Sequence, residues 1–166
     1  MARETVSIEG LDDVLRRLRA LGAEASKRGG PVRAGVRAGA MVIVREAKLN
    51  VQRIIAQPNV TESDPSTGLL EKSIAPFRSK ARGGEKGETF VVTVKRSAKY
   101  SDERVRGKLK TARVIGQRLE YGTGRTPEPK PWLRPAFHSK KNEAVNVMKE
   151  KTLAGIEKLE KKLSRT

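Results

Sequence analysis

The stretch 31-PVRAGVRAGAMVIVREAKLNVQRIIA-56 decides the architecture of this chain. Its apolar residues Val32, Val36, Ala40, Ile43, Val44, Ala47, Val51 and Ile54 recur at helical spacing. Pro31 suits the first turn, where a missing backbone donor costs nothing. The pattern predicts a helix running to about residue 56, the longest element of the chain. Gly35 and Gly39 stand one turn apart on it and, lacking β-carbons, would let a neighbouring element come close to its first half.

Upstream, Leu11, Val14, Leu15, Leu18 and Leu21 fall on one stripe of a shorter amphipathic helix. Ser7 or Gly10 would cap it, Asp12 and Asp13 favour its first turn through the helix dipole, and it fades near Gly29 and Gly30. Downstream, residues 57–68 have the composition of a surface loop, and Leu69 to Ile74 reads as a short turn or strand entry. Thr89 to Val94 is dense in β-branched residues and reads as a strand. Pro127, Pro129 and Pro131 each lack a backbone donor, so this stretch should be an extended connection, with Trp132 and Phe137 as the large anchors that pin it. Beyond Pro135 the chain turns helical again, with a thin stripe of Ala144, Val147, Met148, Ala154 or Lys151, Ile156, Leu159 and Leu163. The expectation is one domain over 1–166, with mobile loops near 57–68, 79–88 and 100–110.

A chain of 166 residues can bury one sizeable core, and with 36% hydrophobic but only 4% aromatic residues that core must be built from Leu, Val, Ile and Ala. Cysteine is absent and His138 is the single histidine, which excludes disulfides, thiolate chemistry and the usual zinc ligand sets. No Ser, His and Asp arrangement supports a catalytic reading, and neither a cofactor nor a metal is expected. The longest uninterrupted apolar run, Ala40 to Val44, is far too short to cross a bilayer, so the chain reads as a soluble product of a cytoplasm.

The net charge of +17 is spread along the whole chain and favours polyanions or acidic partner surfaces. It is densest between Lys95 and Arg118. There Lys95, Arg96, Lys99, Arg104, Arg106, Lys108, Lys110, Arg113 and Arg118 are candidate contacts to DNA phosphates, which require cationic side chains but no fixed motif. The rival reading is a solvated loop or strand edge. Tyr100 is the lone aromatic in this run, so no stacking platform for single strands is evident. Gly122 and Gly124 fit a tight turn with positive φ that Thr123 can hold by a local hydrogen bond. A phosphate-binding loop would need the Gly-Lys-Ser/Thr that is missing here. Glu120 and Arg134 allow three readings: a mutual ion pair, caps for the turn and the last helix, or two exposed charges.

Two segments carry a resemblance. Leu119-Glu120-Tyr121-Gly122-Thr123-Gly124, followed by Pro131-Trp132-Leu133-Arg134-Pro135-Ala136-Phe137, resembles the signature of a family of bacteriophage tail-component proteins that complete the tail or join it to the head. Thr67-Gly68-Leu69-Leu70-Glu71-Lys72-Ser73-Ile74 is similar to an upstream element of that family, and Gly10 to Leu18 to its opening segment. Leu119 stands where the family commonly has an aromatic or branched residue, and the segments 79–88 and 100–110 look like additions. The resemblance implies an α+β subunit, with two N-terminal helices and a long C-terminal helix packed on a small, mainly antiparallel sheet. It also implies a structural virion protein of the neck, not an enzyme. Such a subunit would form a ring, of six copies, around the DNA channel, beside head-connector and tail-tube or tail-terminator proteins, with non-specific DNA in the lumen. The alternative from another class is a basic, sequence-independent nucleic-acid-binding protein, which the charge supports but which leaves the signature segments unexplained.

Overall fold

The computed structural model describes residues 30–55, 68–79, 87–99, 111–123 and 128–163. The helix expected around Leu11 to Leu21 lies outside them. So do the interiors of the three expected loops, residues 57–67, 80–86 and 100–110.

The described residues form an α+β fold. In chain order they are α1 (Pro31–Ile55), α2 (Leu69–Ser73), β1 (Ile74–Arg78), β2 (Phe90–Val94), α3 (Ala112–Tyr121) and α4 (Leu133–Leu163). The long helix starts at Pro31 as its sequence dictates. It is not the longest element, because α4 has 31 residues against its 25. Helix α4 also begins at Leu133, before Pro135 and not beyond it. Proline in a first helical turn gives up a donor that has no intrahelical acceptor, so Pro135 does not delay the start.

Helices α1 and α4 run antiparallel in close contact, as the pairings of Pro31 with Gly155, Gly35 with Thr152 and Gly39 with Ala144 require. A β-carbon on Gly39 would sit 2.6 Å from the Ala144 carbonyl oxygen, and one on Gly35 would run into Thr152 and lie 2.8 Å from the Met148 carbonyl oxygen. The two glycines therefore set how closely the helix axes approach. The buried positions of α4 are Ala136, Ala144, Thr152 and Ile156, while Ala154 and Lys151 are exposed. Thr152 escapes a hydrophobicity-based reading because its hydroxyl is satisfied internally, donating to the Met148 carbonyl at 2.7 Å.

Strands β1 and β2 pair antiparallel, Ile74 opposite Val94 and Arg78 opposite Phe90. Two backbone hydrogen bonds just beyond the ends fix the alternation: Lys95 N–H to the Ser73 carbonyl at 2.9 Å and Ser79 N–H to the Thr89 carbonyl at 2.8 Å. Counting inward by twos places Pro76 and Val92 in a pair whose backbone groups point away from each other. Proline is thus tolerated because its missing donor would have faced outward. A forked ion pair of Arg78 with Glu88, at 2.6 Å on both oxygens, ties the two arms of the hairpin together.

The core gathers Val44, Ala47 and Val51 from α1, Leu70 from α2, Ile74 and Val94 from the strands, Ala112 from α3, and Trp132 and Ala136. It is aliphatic, as composition demanded, apart from one indole. Helix α3 is a departure from the sequence reading, which treated the basic run from Lys95 to Arg118 as phosphate contacts or a solvated loop or strand edge and assigned no helix there. Its buried or half-buried residues Ala112, Ile115, Gly116 and Leu119 follow a helical stripe. No described helix is long and apolar enough to cross a membrane.

Candidate functional site

The end of α3, the proline-rich link and the start of α4 form one junction. Gly122 closes α3 with φ 74°, a conformation that glycine adopts without strain, and its N–H donates to the Arg118 carbonyl at 2.7 Å. The returning link is tied back to α3 by the Lys130 N–H, which donates to the Leu119 carbonyl at 2.8 Å.

Glu120 organises the rest. Its Oε2 accepts the backbone N–H of Trp132 at 2.9 Å and of Leu133 at 2.8 Å, and its Oε1 accepts the backbone N–H of Arg134 at 3.0 Å. These are donors at the start of α4 that no helical carbonyl can reach, and Pro135 has none to offer. A carboxylate twelve residues upstream of Trp132 thus does the work normally given to a serine or aspartate at the helix start, with the helix dipole adding to the attraction. The Arg134 Nε completes the set at 3.1 Å from Oε1, and its Nη2 donates to the Glu120 carbonyl at 3.3 Å. Of the three readings open in sequence, the ion pair and the helix cap both hold. The third fails for Glu120, which is 4% exposed, but the Arg134 side chain remains largely accessible.

Burial pushes the Glu120 carboxyl up, but the three backbone donors and the Arg134 guanidinium outweigh it and hold the group below the usual carboxylate range. It is a charged, fully bonded side chain, suited to holding structure and not to moving protons.

Trp132 is 3% exposed, in keeping with its expected role as an anchor. Its indole N–H donates to the Gly116 carbonyl at 2.9 Å, and its own carbonyl accepts the Asn50 side-chain amide at 3.1 Å, linking the junction to α1. The second expected anchor, Phe137, is a correction. It points away from this cluster, is 40% exposed and meets the His138 ring edge-on at 5.9 Å. Successive α4 residues Ala136 and Phe137 lie about 100° apart, so burying Ala136 against the core turns Phe137 outward.

The upstream signature element is architectural too. Gly68 (φ 67°) opens α2, where its carbonyl accepts the Lys72 N–H at 3.0 Å. Leu69 packs against the core, and Ser73 and Ile74 are buried at the helix-to-strand switch. The structure therefore brings Glu120, Tyr121, Gly122, Pro131, Trp132, Leu133, Arg134, Pro135 and Ala136 together, with Thr123 at the edge of the junction. Gly124 lies outside the described residues. Gly116 and Asn50 were missed in sequence, since nothing in their neighbourhood marks them as partners of an indole. On the surface of the junction Tyr121, 69% exposed, lies under Arg134, whose guanidinium carbon is 4.9 Å from the ring centroid.

The candidate phosphate contacts do not converge in the same way. Lys95, Arg96, Lys99 and Arg118 are exposed and Arg113 is half-buried; the first three follow β2 and the other two lie on α3, with the two segments joined by the backbone pairing of Lys99 with Thr111 and of Ala112 with Ala98. Arg104, Arg106, Lys108 and Lys110 lie outside the described residues. Among the described residues no group of three His, Asp or Glu side chains is placed to hold a metal ion. Neither known protein families, nor curated proteins, nor solved structures provide a match to this chain.

Proposed function

We propose that this chain is a structural subunit of the neck of a long-tailed bacteriophage, completing the tail or joining it to the head as one member of a ring around the DNA channel. The observation that carries the reading is the use of the signature residues. Those that resemble the phage family form one bonded junction that locks the last helix in place, and on its accessible side Tyr121 and Arg134 make a cationic-aromatic patch. Aromatic and arginine side chains of this kind are favoured at the centres of protein interfaces. Residues held this way support assembly, and the net charge of +17 suits a surface that meets DNA or acidic neighbouring rings.

Immunolabelled electron microscopy of particles made from the genome encoding this chain tests the reading. A ring of label at the neck is expected, with Tyr121→Ser yielding separated heads and tails although the purified variant melts as the parent does. Label confined to the tail tip, or absent from the particle, would rule it out.

A further inference from the structure

An apolar groove of about 630 Å³ runs between the first half of α1 and α4, with the outer side of β2 as its floor. Val36, Ala40 and Ile43 line it from α1, Val91 from β2, and Phe137 and Met148 from α4. Phe137 and Val91, each 40% exposed, are two of the few large apolar side chains on the described surface, and they face the same groove. Its size would suit a small molecule, but such sites carry a few convergent polar groups, and here the polar residues Arg134, His138 and Lys141 stand in a row along the α4 side.

We infer that this groove is the seat of the chain's own segment Leu11 to Leu21, packed as a helix antiparallel to α1. The two surfaces match in kind, for Leu11, Val14, Leu15, Leu18 and Leu21 form one apolar stripe, and the groove is an apolar trough beside a helix. They match in length: the stripe covers about 15 Å as a helix, and the groove extends about 10 Å along α1 and about 22 Å along α4. The chain reaches, since the nine residues 22–30 span up to about 30 Å while the start of the groove at Val36 is about 8 Å along the axis from Pro31. Direction and charge agree as well. An antiparallel course brings the acidic first turn, Asp12 and Asp13, to the end of the groove where Lys141 stands without a partner among the described residues. A helix there also covers the outward-facing backbone of β2, a common protection for an exposed strand edge. This inference is independent of the ring reading.

The absence of cysteine makes the test direct. Full-length variants pair Ala40→Cys with Val14→Cys, Leu15→Cys or Leu18→Cys on the stripe, or with Asp13→Cys or Ala20→Cys on the opposite face. Circular dichroism of the reduced proteins establishes that each folds, and only folded pairs are oxidised and analysed on non-reducing gels and by peptide mass spectrometry. At least one stripe position should link to Ala40→Cys within a single chain, at a yield several-fold above either outer-face position. Covalent dimers or ladders would overturn the inference by assigning the groove to a second copy. Failure of every folded stripe pair to link, or equal linking from both faces, would overturn it as well.

Discussion

The Trp132 ring lies against Gly116 so closely that a β-carbon at that glycine would stand 3.3 Å from the indole Cζ2 and 3.1 Å from a methyl of Leu70, while the indole N–H holds the Gly116 carbonyl at 2.9 Å. The indole is therefore packed and hydrogen-bonded at once. Trp132→Ala should cost about 3–5 kcal/mol, a large share of the stability of a domain this size. Trp132→Phe should cost less, losing the bond to Gly116 but keeping most of the apolar contact. Urea denaturation of both variants measures the difference, and an unchanged midpoint for Trp132→Ala would contradict the packing.

Glu120→Gln is expected to be destabilising although it changes almost no volume. Both oxygens of the carboxylate accept N–H donors, so one end of an amide would have to aim its own N–H at donors, whichever way it is flipped. Breaking such a bonded, buried group costs about 1–3 kcal/mol. The loss should show in chemical denaturation, accompanied by faster amide hydrogen exchange at the start of α4.

Acid should weaken the same junction. The folded-state pKa of Glu120 is lowered relative to the unfolded chain, so the unfolded state binds the proton more readily. The stabilisation is complete above the unfolded value, about 4.3, and disappears as pH falls through the lower folded value. Melting temperatures of parent and Glu120→Gln should therefore converge on acidification from neutral pH, and a constant gap down to strongly acidic pH would show that the charge is not what matters.

Gly39→Ala should destabilise the protein even though alanine is the better helix former by about 1 kcal/mol. The new methyl would sit 2.6 Å from the carbonyl oxygen of Ala144, which belongs to the α4 backbone and cannot swing aside. Separation of α1 from α4 at their tightest crossing is the expected response, costing about 1–3 kcal/mol. A lowered melting temperature checks it, whereas a raised one would mean that the helices have slack.

Binding to duplex DNA should be independent of sequence and should weaken steeply as salt rises. Lys95, Arg96, Lys99, Arg113 and Arg118 present charge without an ordered set of groups to read bases. Replacing Arg96 and Lys99 by Gln should lower the magnitude of the salt slope by up to about 2, which fluorescence anisotropy over a salt series would measure. Tight, nearly salt-independent binding to one sequence would contradict this reading of the basic residues.

Much of the frame was legible because it obeys simple periodicities. Pro31 to Ile55 shows its helix directly, Thr89 to Val94 its strand, and Gly35 and Gly39 the close approach of a neighbour. Helix α3 was hidden because its inner face, Ala112, Ile115, Gly116 and Leu119, is interrupted by a glycine and embedded in a basic run that reads as loop. The burial of Thr152 was hidden because its hydroxyl is satisfied by its own helix. At the junction, the signature segments drew attention to Glu120, Trp132 and Arg134, and the chemistry of the two charges offered the right pairing as one of three readings. It could not choose between that pairing and exposure, because the choice depends on how the link from Gly122 to Pro131 folds back, a matter of tertiary geometry and not of local pattern. The outward turn of Phe137 has the same origin.

Pro76 has a consequence for what this molecule cannot become. An added strand needs alternating donors and acceptors along the margin it joins, and the outer margin of β1 lacks its central donor because the residue there is an imino acid. The ribbon is therefore a chain terminator on that side. Among the described strands only the margin of β2, the one that a helix in the groove would cover, keeps a full row of donors, so the continuous stacking that leads to fibrils has no second margin there from which to grow.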